Sequence, residues 1–182
     1  MSDLAKKFMS ISVWITIVLF VIRCLIDSSG IALAINQREY LNCSYSIYGY
    51  AGEAIGATAI FMAVFNKWLW KKKPFYLLTG ELPVLAKHYR GTITFVWDGV
   101  EQTRNSEIWI DQTFLNVSVK LGTNESTSNS ITASIEKVNS EQKLIYTYLN
   151  TPRAELQNRS AIHYGTAMLC VDDSKKLTGN YY

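Results

Sequence analysis

Residues 48–73 read YGYAGEAIGATAIFMAVFNKWLW followed by KKK, and how this stretch is read decides the fold. Between Tyr48 and Trp70 the only charged residues are Glu53, near one end, and Lys67, near the other. At about 1.5 Å per residue, a helix of this length spans roughly 34 Å, enough to cross a hydrocarbon core of about 30 Å. Trp68 and Trp70 fall where an interfacial aromatic belt is expected, and Lys71–Lys73 follow at once. The chain before this segment has the character of a membrane anchor, and the chain after Glu81 that of a soluble β domain.

Working toward the N-terminus, Phe8–Ile26 (FMSISVWITIVLFVIRCLI) holds one charge in an otherwise apolar run and is a second candidate span. The rival reading is a secretory signal peptide, because Ala32-Leu33-Ala34 resembles a cleavage site. The apolar run is longer than a usual signal core and the site lies well beyond its end, which favours an uncleaved anchor. Lys6 and Lys7 precede the first span and Lys71–Lys73 close the second, whereas the connecting loop, Asp27–Ile47, carries only Arg38 as a cation. The positive-inside rule therefore places both termini in the cytoplasm of a multi-pass protein, in a bacterial cell the inner membrane.

Two ionisable groups lie within the spans, Arg23 and Glu53, at similar depth in an antiparallel hairpin. They are expected either to pair, within or between subunits, or to leave Arg23 snorkelling to the headgroups. Gly52-x-x-x-Gly56 puts two small residues on one helix face, where they permit close helix packing within the hairpin or between copies. The expected organisation is a transmembrane hairpin over residues 1–73, a connector at 74–82, and a β domain at 83–182.

Past Pro83 the apolar period changes from helical to alternating. Tyr89, Gly91, Ile93, Phe95 and Trp97 share one parity, and Asp98-Gly99 is a turn signal. Further strands are expected at Glu107–Asp111, Thr113–Thr123, around Ile131–Ile135, Leu144–Asn150, Ile162–Val171 and Leu177–Tyr182. Turns fall at Asn139-Ser140-Glu141 and Asp172–Lys175, and a loop at Thr151–Ser160. Short strands at this spacing define an antiparallel barrel or sandwich. The Tyr89-x-Gly91 opening and the chain length favour a small up-and-down, lipocalin-like barrel around one ligand. As the chain stops at Tyr181-Tyr182, the last strand is either short or missing.

Charge narrows the choice of partner. Residues 1–80 hold eight lysines and arginines against four acids, net +4, whereas residues 81–182 hold ten against eleven, net −1. The basic excess belongs to the membrane flanks, which argues against DNA or long RNA as a partner. Cys24, Cys43 and Cys170 form no metal-ligand spacing, and Cys24 and Cys43 can pair only if both face an oxidising compartment. His88 and His163 stand alone, and no phosphate-cradling glycine loop, HExxH or GxSxG is present, so no enzyme, metal or resident cofactor is expected. The sequons at Asn42, Asn116, Asn124 and Asn158 matter only in a secreted eukaryotic domain.

What the β domain does contain is hydroxyl, amide and aromatic side chains suited to a small polar ligand with stacking rings. The candidate ligand-binding residues are Tyr89, Gln112, Thr123, Ser128, Tyr148, Asn150, Arg153, His163, Tyr164 and Tyr182. The competing reading is a barrel whose polar residues simply face water.

Two N-terminal spans before a barrel carrying QTFLNVSVKLGTNESTSNS (112–130), YTYLNTP (146–152), HYGTAML (163–169) and LTGNYY (177–182) resemble one family over the whole chain. It is the two-transmembrane β-barrel effectors of bacterial cyclic-oligonucleotide antiphage signalling, CBASS. The resemblance implies a cytosolic barrel that binds a cyclic di- or oligonucleotide second messenger. It further implies that binding drives homo-oligomerisation through the membrane helices, disruption of the inner membrane and abortive infection. Arg23, Gly52, Glu53 and Gly56 are the expected packing residues. The family commonly continues past this chain's ending into T-x-R-x-T-x-G, and Tyr89 takes the place of a first-strand tryptophan. A second hypothesis is a membrane-anchored binding protein or scaffold that holds a lipid or a partner and has no lytic activity.

Overall fold

The computed structural model describes residues 3–75, 82–158, 160–172 and 176–182, with Asp3 and Trp97 described by their backbones. The chain divides into two compact units, Met1–Thr79 and Gly80–Tyr182. Of the expected connector, residues 76–81 lie outside the described residues, as do Arg159 and most of the turn at 172–175.

In the first unit, α1 (Asp3–Ile26) and α3 (Tyr40–Lys67) are the two helices long and apolar enough to cross a membrane. The stripe Tyr50, Ala54, Thr58, Met62 and Phe65 repeats at helical spacing and is the buried face of α3. The Thr16 and Thr58 hydroxyls meet at 3.0 Å across the pair, and the Phe8 and Phe65 rings lie 6.3 Å apart. Such contacts suit helices in lipid, where packing and interhelical hydrogen bonds replace the hydrophobic drive.

The expected loop Asp27–Ile47 is instead largely helical. Helix α2 (Ser28–Asn36) follows α1 almost directly, and α3 begins at Tyr40, eight residues before the expected start. No proline interrupts this stretch, and ALAIN carries no backbone-breaking residue, so helix persists until Arg38 takes φ 59° and turns the chain. At the far end α3 stops at Lys67, where Trp68 leaves helical geometry, and Pro74 follows. Of the expected aromatic belt, Trp68 is exposed but Trp70 is buried. The three cysteines are all free.

The second unit is one antiparallel meander: β1 (His88–Trp97), β2 (Val100–Gln112), β3 (Val117–Thr123), β4 (Ser126–Val138), β5 (Glu141–Pro152), β6 (His163–Val171) and β7 (Leu177–Tyr181). Two hairpins turn through paired left-handed residues, Asp98 (φ 51°) with Gly99 (φ 75°) and Asn139 (φ 50°) with Ser140 (φ 69°). This backbone twist matches that of the flanking strands. A two-residue turn at Asp98-Gly99 forces β2 to begin at Val100, not at Glu107 as the alternation alone indicates, so residues 100–106 also lie in the sheet.

A bulge between Ser130 and Thr132 breaks the β4–β5 register, and the Ser130 hydroxyl accepts the Val119 N–H at 2.9 Å in place of a ladder bond. The sheet curls into a nearly closed barrel, with β1 and β7 as its edges and the Tyr181 hydroxyl 3.4 Å from the Thr94 carbonyl. Leu85, Ile110, Val119, Leu144, Tyr146, Tyr148 and Ala167 form its core.

Candidate functional site

Strand alternation sorts the barrel interior into two zones. On β2 the inward positions run Gln102, Arg104, Ser106, Ile108, Ile110, from polar to apolar, and on β5 they run Asn150, Tyr148, Tyr146, Leu144. The partners agree in antiparallel register: Ser128 faces Asn150, Ala167 faces Tyr146, and Leu169 faces Leu144. One end is therefore filled with aliphatic side chains and packed. The other opens into a cavity of about 1290 Å³, larger than the roughly 300–1000 Å³ of sites for drug-sized ligands.

The cavity wall is held by hydrogen bonds among its own polar groups. The Ser128 hydroxyl donates to Asn150 Oδ1 at 2.8 Å, both residues buried. Thr123 Oγ1 accepts the backbone N–H of Ser126 at 3.0 Å and of Glu125 at 3.2 Å, tying the β3–β4 turn to the strand before it. The Tyr89 hydroxyl accepts the Ala86 N–H at 2.9 Å. Arg104 pairs with Glu125 and lies with its guanidinium carbon 4.7 Å from the centre of the Phe95 ring. That places a cation, braced by an aromatic face, at the polar end of the cavity.

Burial pushes the Tyr146 hydroxyl up to about 12, with Tyr148 beside it acting in the same sense. Burial likewise raises Tyr148, to which Tyr181 adds, and raises Tyr181. All three hydroxyls are thus neutral near pH 7 and carry no charge to repel an anion, with Tyr181 the exposed one of the three. The Tyr146 and Tyr148 rings are 5.9 Å apart, tilted at 50°. Tyr148 fits only because its register partner is Gly165, where a Cβ would fall on the phenol.

Of the residues singled out from sequence, Tyr89, Thr123, Ser128, Tyr148, Asn150, His163 and Tyr182 line this cavity. Gln112, Arg153 and Tyr164 do not. Gln112 sits at the packed end, where Nε2 donates to the Pro83 carbonyl at 2.8 Å and Oε1 accepts the Leu85 N–H at 2.9 Å. The side chain of Arg153 is exposed, and its backbone N–H donates to the Glu125 carbonyl at 2.8 Å. Tyr164 follows His163 on the outward parity and is 75% exposed. Phe95, Gln102, Arg104, Ser106, Glu125 and Tyr146 also line the cavity and were absent from the sequence-derived set. The signal that finds Arg104 is the two-residue turn at Asp98-Gly99, since counting back along β2 by twos from Ile108 places it inward.

Within the first unit, Arg23 Nε lies 2.9 Å from Glu53 Oε2, so that pair forms inside one chain. Arg23 also covers the Tyr50 ring at 4.3 Å, and the Tyr50 hydroxyl donates to Asp27. Gly52 and Gly56 are exposed, and a Cβ at either meets nothing within 4 Å.

Two helices that are candidate membrane spans, joined to a small β-barrel that opens into one large cavity lined by polar, aromatic and aliphatic side chains, define the class: a ligand-binding barrel behind a membrane-type helical hairpin. Residues 81–182 match the family described as Cap15, cyclic dinucleotide receptor domain, and the chain belongs to that family. It is also 29% identical over 182 residues, all of this chain and 92% of the relative, to CD-NTase-associated protein 15 of Staphylococcus schleiferi. These findings agree with the CBASS effector resemblance carried by the barrel motifs. No solved structure matches the chain.

Proposed function

We propose that this protein is an antiphage effector whose barrel binds a cyclic dinucleotide in the 1290 Å³ cavity and whose helices then associate and disrupt the inner membrane. The single observation that carries the ligand assignment is the composition of the cavity's open half. It offers neutral tyrosines for the bases, a buried Ser128–Asn150 pair for directional hydrogen bonds, and Arg104 for a phosphodiester.

Topology and assembly rest on separate features. Lys6, Lys7 and Lys71–Lys73 flank the candidate spans on one side, which by the positive-inside rule supports a barrel in the cytoplasm, where a second messenger is made. The Gly52–Gly56 face stands outside the α1–α3 contact, and its open space is what a second copy of the helix needs for close approach. Ligand binding shifts the monomer–oligomer balance only by its differential affinity for the assembled state. The protein acts in this scheme as a receptor and not as an enzyme.

The test is to express the chain in bacteria with an active or an inactivated cyclic-dinucleotide synthase and to follow entry of a membrane-impermeant dye. Entry confined to the active-synthase cells is expected. Entry in both, or in neither while purified protein binds the ligand, overturns the lytic assignment. Purified full-length protein that ignores a cyclic-dinucleotide panel overturns the receptor assignment.

A further inference from the structure

The Arg104–Glu125 pair at the cavity's polar end is built asymmetrically. Arg104 is fixed from both sides: its backbone is paired to Ile93 in the β1–β2 ladder, and its guanidinium lies over Phe95. Among the described residues, the Glu125 backbone is held by its N–H going to Thr123 Oγ1 and its carbonyl accepting from Arg153, and its carboxylate is held by Arg104. Beside the pair lies a smaller cavity of about 290 Å³, lined by Thr103, Arg104, Asn105, Asn124 and Glu125, which gives that carboxylate somewhere to go. Both side chains are a little over one-third exposed, at 36% and 39%, so the pair is wet enough to open.

The other cations along the cavity are placed differently. Arg90 is on the outward parity of β1, 77% exposed and 3.3 Å from Glu107, and Lys176 lies in the connection before β7. Among the described residues, Arg104 is the cavity-lining cation that projects inward from a strand. An anion entering from the mouth therefore meets a guanidinium already holding a carboxylate.

We propose that Glu125 is a tethered competitor for the ligand's phosphate. In the unliganded barrel its carboxylate occupies Arg104, and a cyclic dinucleotide binds by exchanging a phosphodiester for that carboxylate, which swings toward the smaller cavity. The exchange deepens the cyclic-dinucleotide reading and rests on it. Its consequence is a raised threshold: a nucleotide with too few additional contacts, such as a linear mononucleotide, cannot displace the built-in anion, whereas one that also fills the tyrosine-lined space can. Removing the competitor should sensitise the receptor and weaken its discrimination.

The experiment is calorimetric titration of the full chain in detergent micelles with cyclic di-AMP, cyclic di-GMP and a mixed purine–pyrimidine cyclic dinucleotide, and with AMP and GMP. For the best cyclic ligand, E125Q is expected to bind about 2- to 5-fold tighter than wild type, the scale of releasing a partly exposed ion pair. AMP or GMP binding should become measurable in the same variant. E125D, which keeps the charge but shortens the reach, should follow E125Q. R104Q and the double variant R104Q/E125Q should bind alike, both weakly. Unchanged or weaker cyclic-dinucleotide binding by E125Q overturns the proposal. So does an E125D that behaves as wild type, or a gain from E125Q that survives in the R104Q background, since either makes the effect long-range repulsion and not competition for one guanidinium. A wild-type protein that binds none of the panel overturns the cyclic-dinucleotide reading itself and this proposal with it, whereas binding without the E125Q gain overturns this proposal alone.

Discussion

Gly165 and Tyr148 are register partners across β5 and β6, and the space a side chain would take at position 165 is filled by the Tyr148 phenol. The same missing Cβ leaves the Tyr182 carbonyl 2.8 Å from where that carbon would stand. The placement of one cavity-wall aromatic is thus decided by a glycine on the neighbouring strand.

Gly165→Ala is accordingly expected to drive Tyr148 out of its rotamer, costing about 1–3 kcal/mol of barrel stability, as overpacking does. Tyr148→Phe does not relieve the clash, because the ring carbon is itself in the way, but Tyr148→Leu does. Thermal melts should show Gly165→Ala destabilised and the Tyr148→Leu/Gly165→Ala double variant only partly recovered, since the Tyr182 carbonyl still crowds the added carbon, while ligand titration shows neither binding as well as wild type. A Gly165→Ala protein with wild-type stability and affinity overturns this account.

Gln112 clamps Pro83 and Leu85 onto the packed end of the barrel. Gln112→Ala leaves a backbone N–H and a carbonyl without their partner and should cost about 1–3 kcal/mol. Cyclic-dinucleotide affinity at a temperature well below the melt should not change, because the clamp lies away from the cavity. A loss of affinity with no loss of stability would show that Gln112 takes part in ligand binding.

The buried Tyr146 makes stability fall at alkaline pH. Its folded pKa, about 12, lies above the value of about 10 expected for an unfolded chain, so the protonated form is favoured in the fold. That contribution is fully present below pH 10 and is lost as pH rises from 10 through 12, by roughly 2–3 kcal/mol at most, at about 1.4 kcal/mol per pH unit. Tyr146→Phe should lose this part of the alkaline limb. Denaturant melts of both proteins from pH 9 to 12 check it, and parallel curves would show that Tyr146 does not set the slope.

Gly52 and Gly56 separate folding of one chain from assembly of several. A Cβ at Gly52 or Gly56 meets nothing within 4 Å in the hairpin, so Gly52→Ile and Gly56→Ile monomers should keep their helical content and ligand affinity. Ligand-induced assembly, read by crosslinking in vesicles, should fall about 10-fold, the scale of a lost helix–helix packing contact of 1–2 kcal/mol. Undiminished crosslinking would move the association face elsewhere on α3 or onto α1.

The sequence by itself determined what is local. Apolar runs around Phe8–Ile26 and Tyr48–Trp70, alternation from Tyr89 onward, and the Asp98-Gly99 and Asn139-Ser140 turns fix element type, because helix and strand periods are written in neighbouring residues. The barrel motifs also carried the family. Local pattern failed where a boundary depended on a partner: β2 runs back to Val100 because β1 is there to pair with it, and that hid Arg104.

Tertiary structure alone decided which polar residues meet. Arg104 joins Glu125 and Ser128 joins Asn150 from separate strands and turns, while Gln112, Arg153 and Tyr164 are carried away from the cavity. The physical reason is register. A side chain's face follows from parity, but its neighbours across the sheet follow from strand pairing and from the bulge between Ser130 and Thr132, and those are settled only when the whole sheet curls.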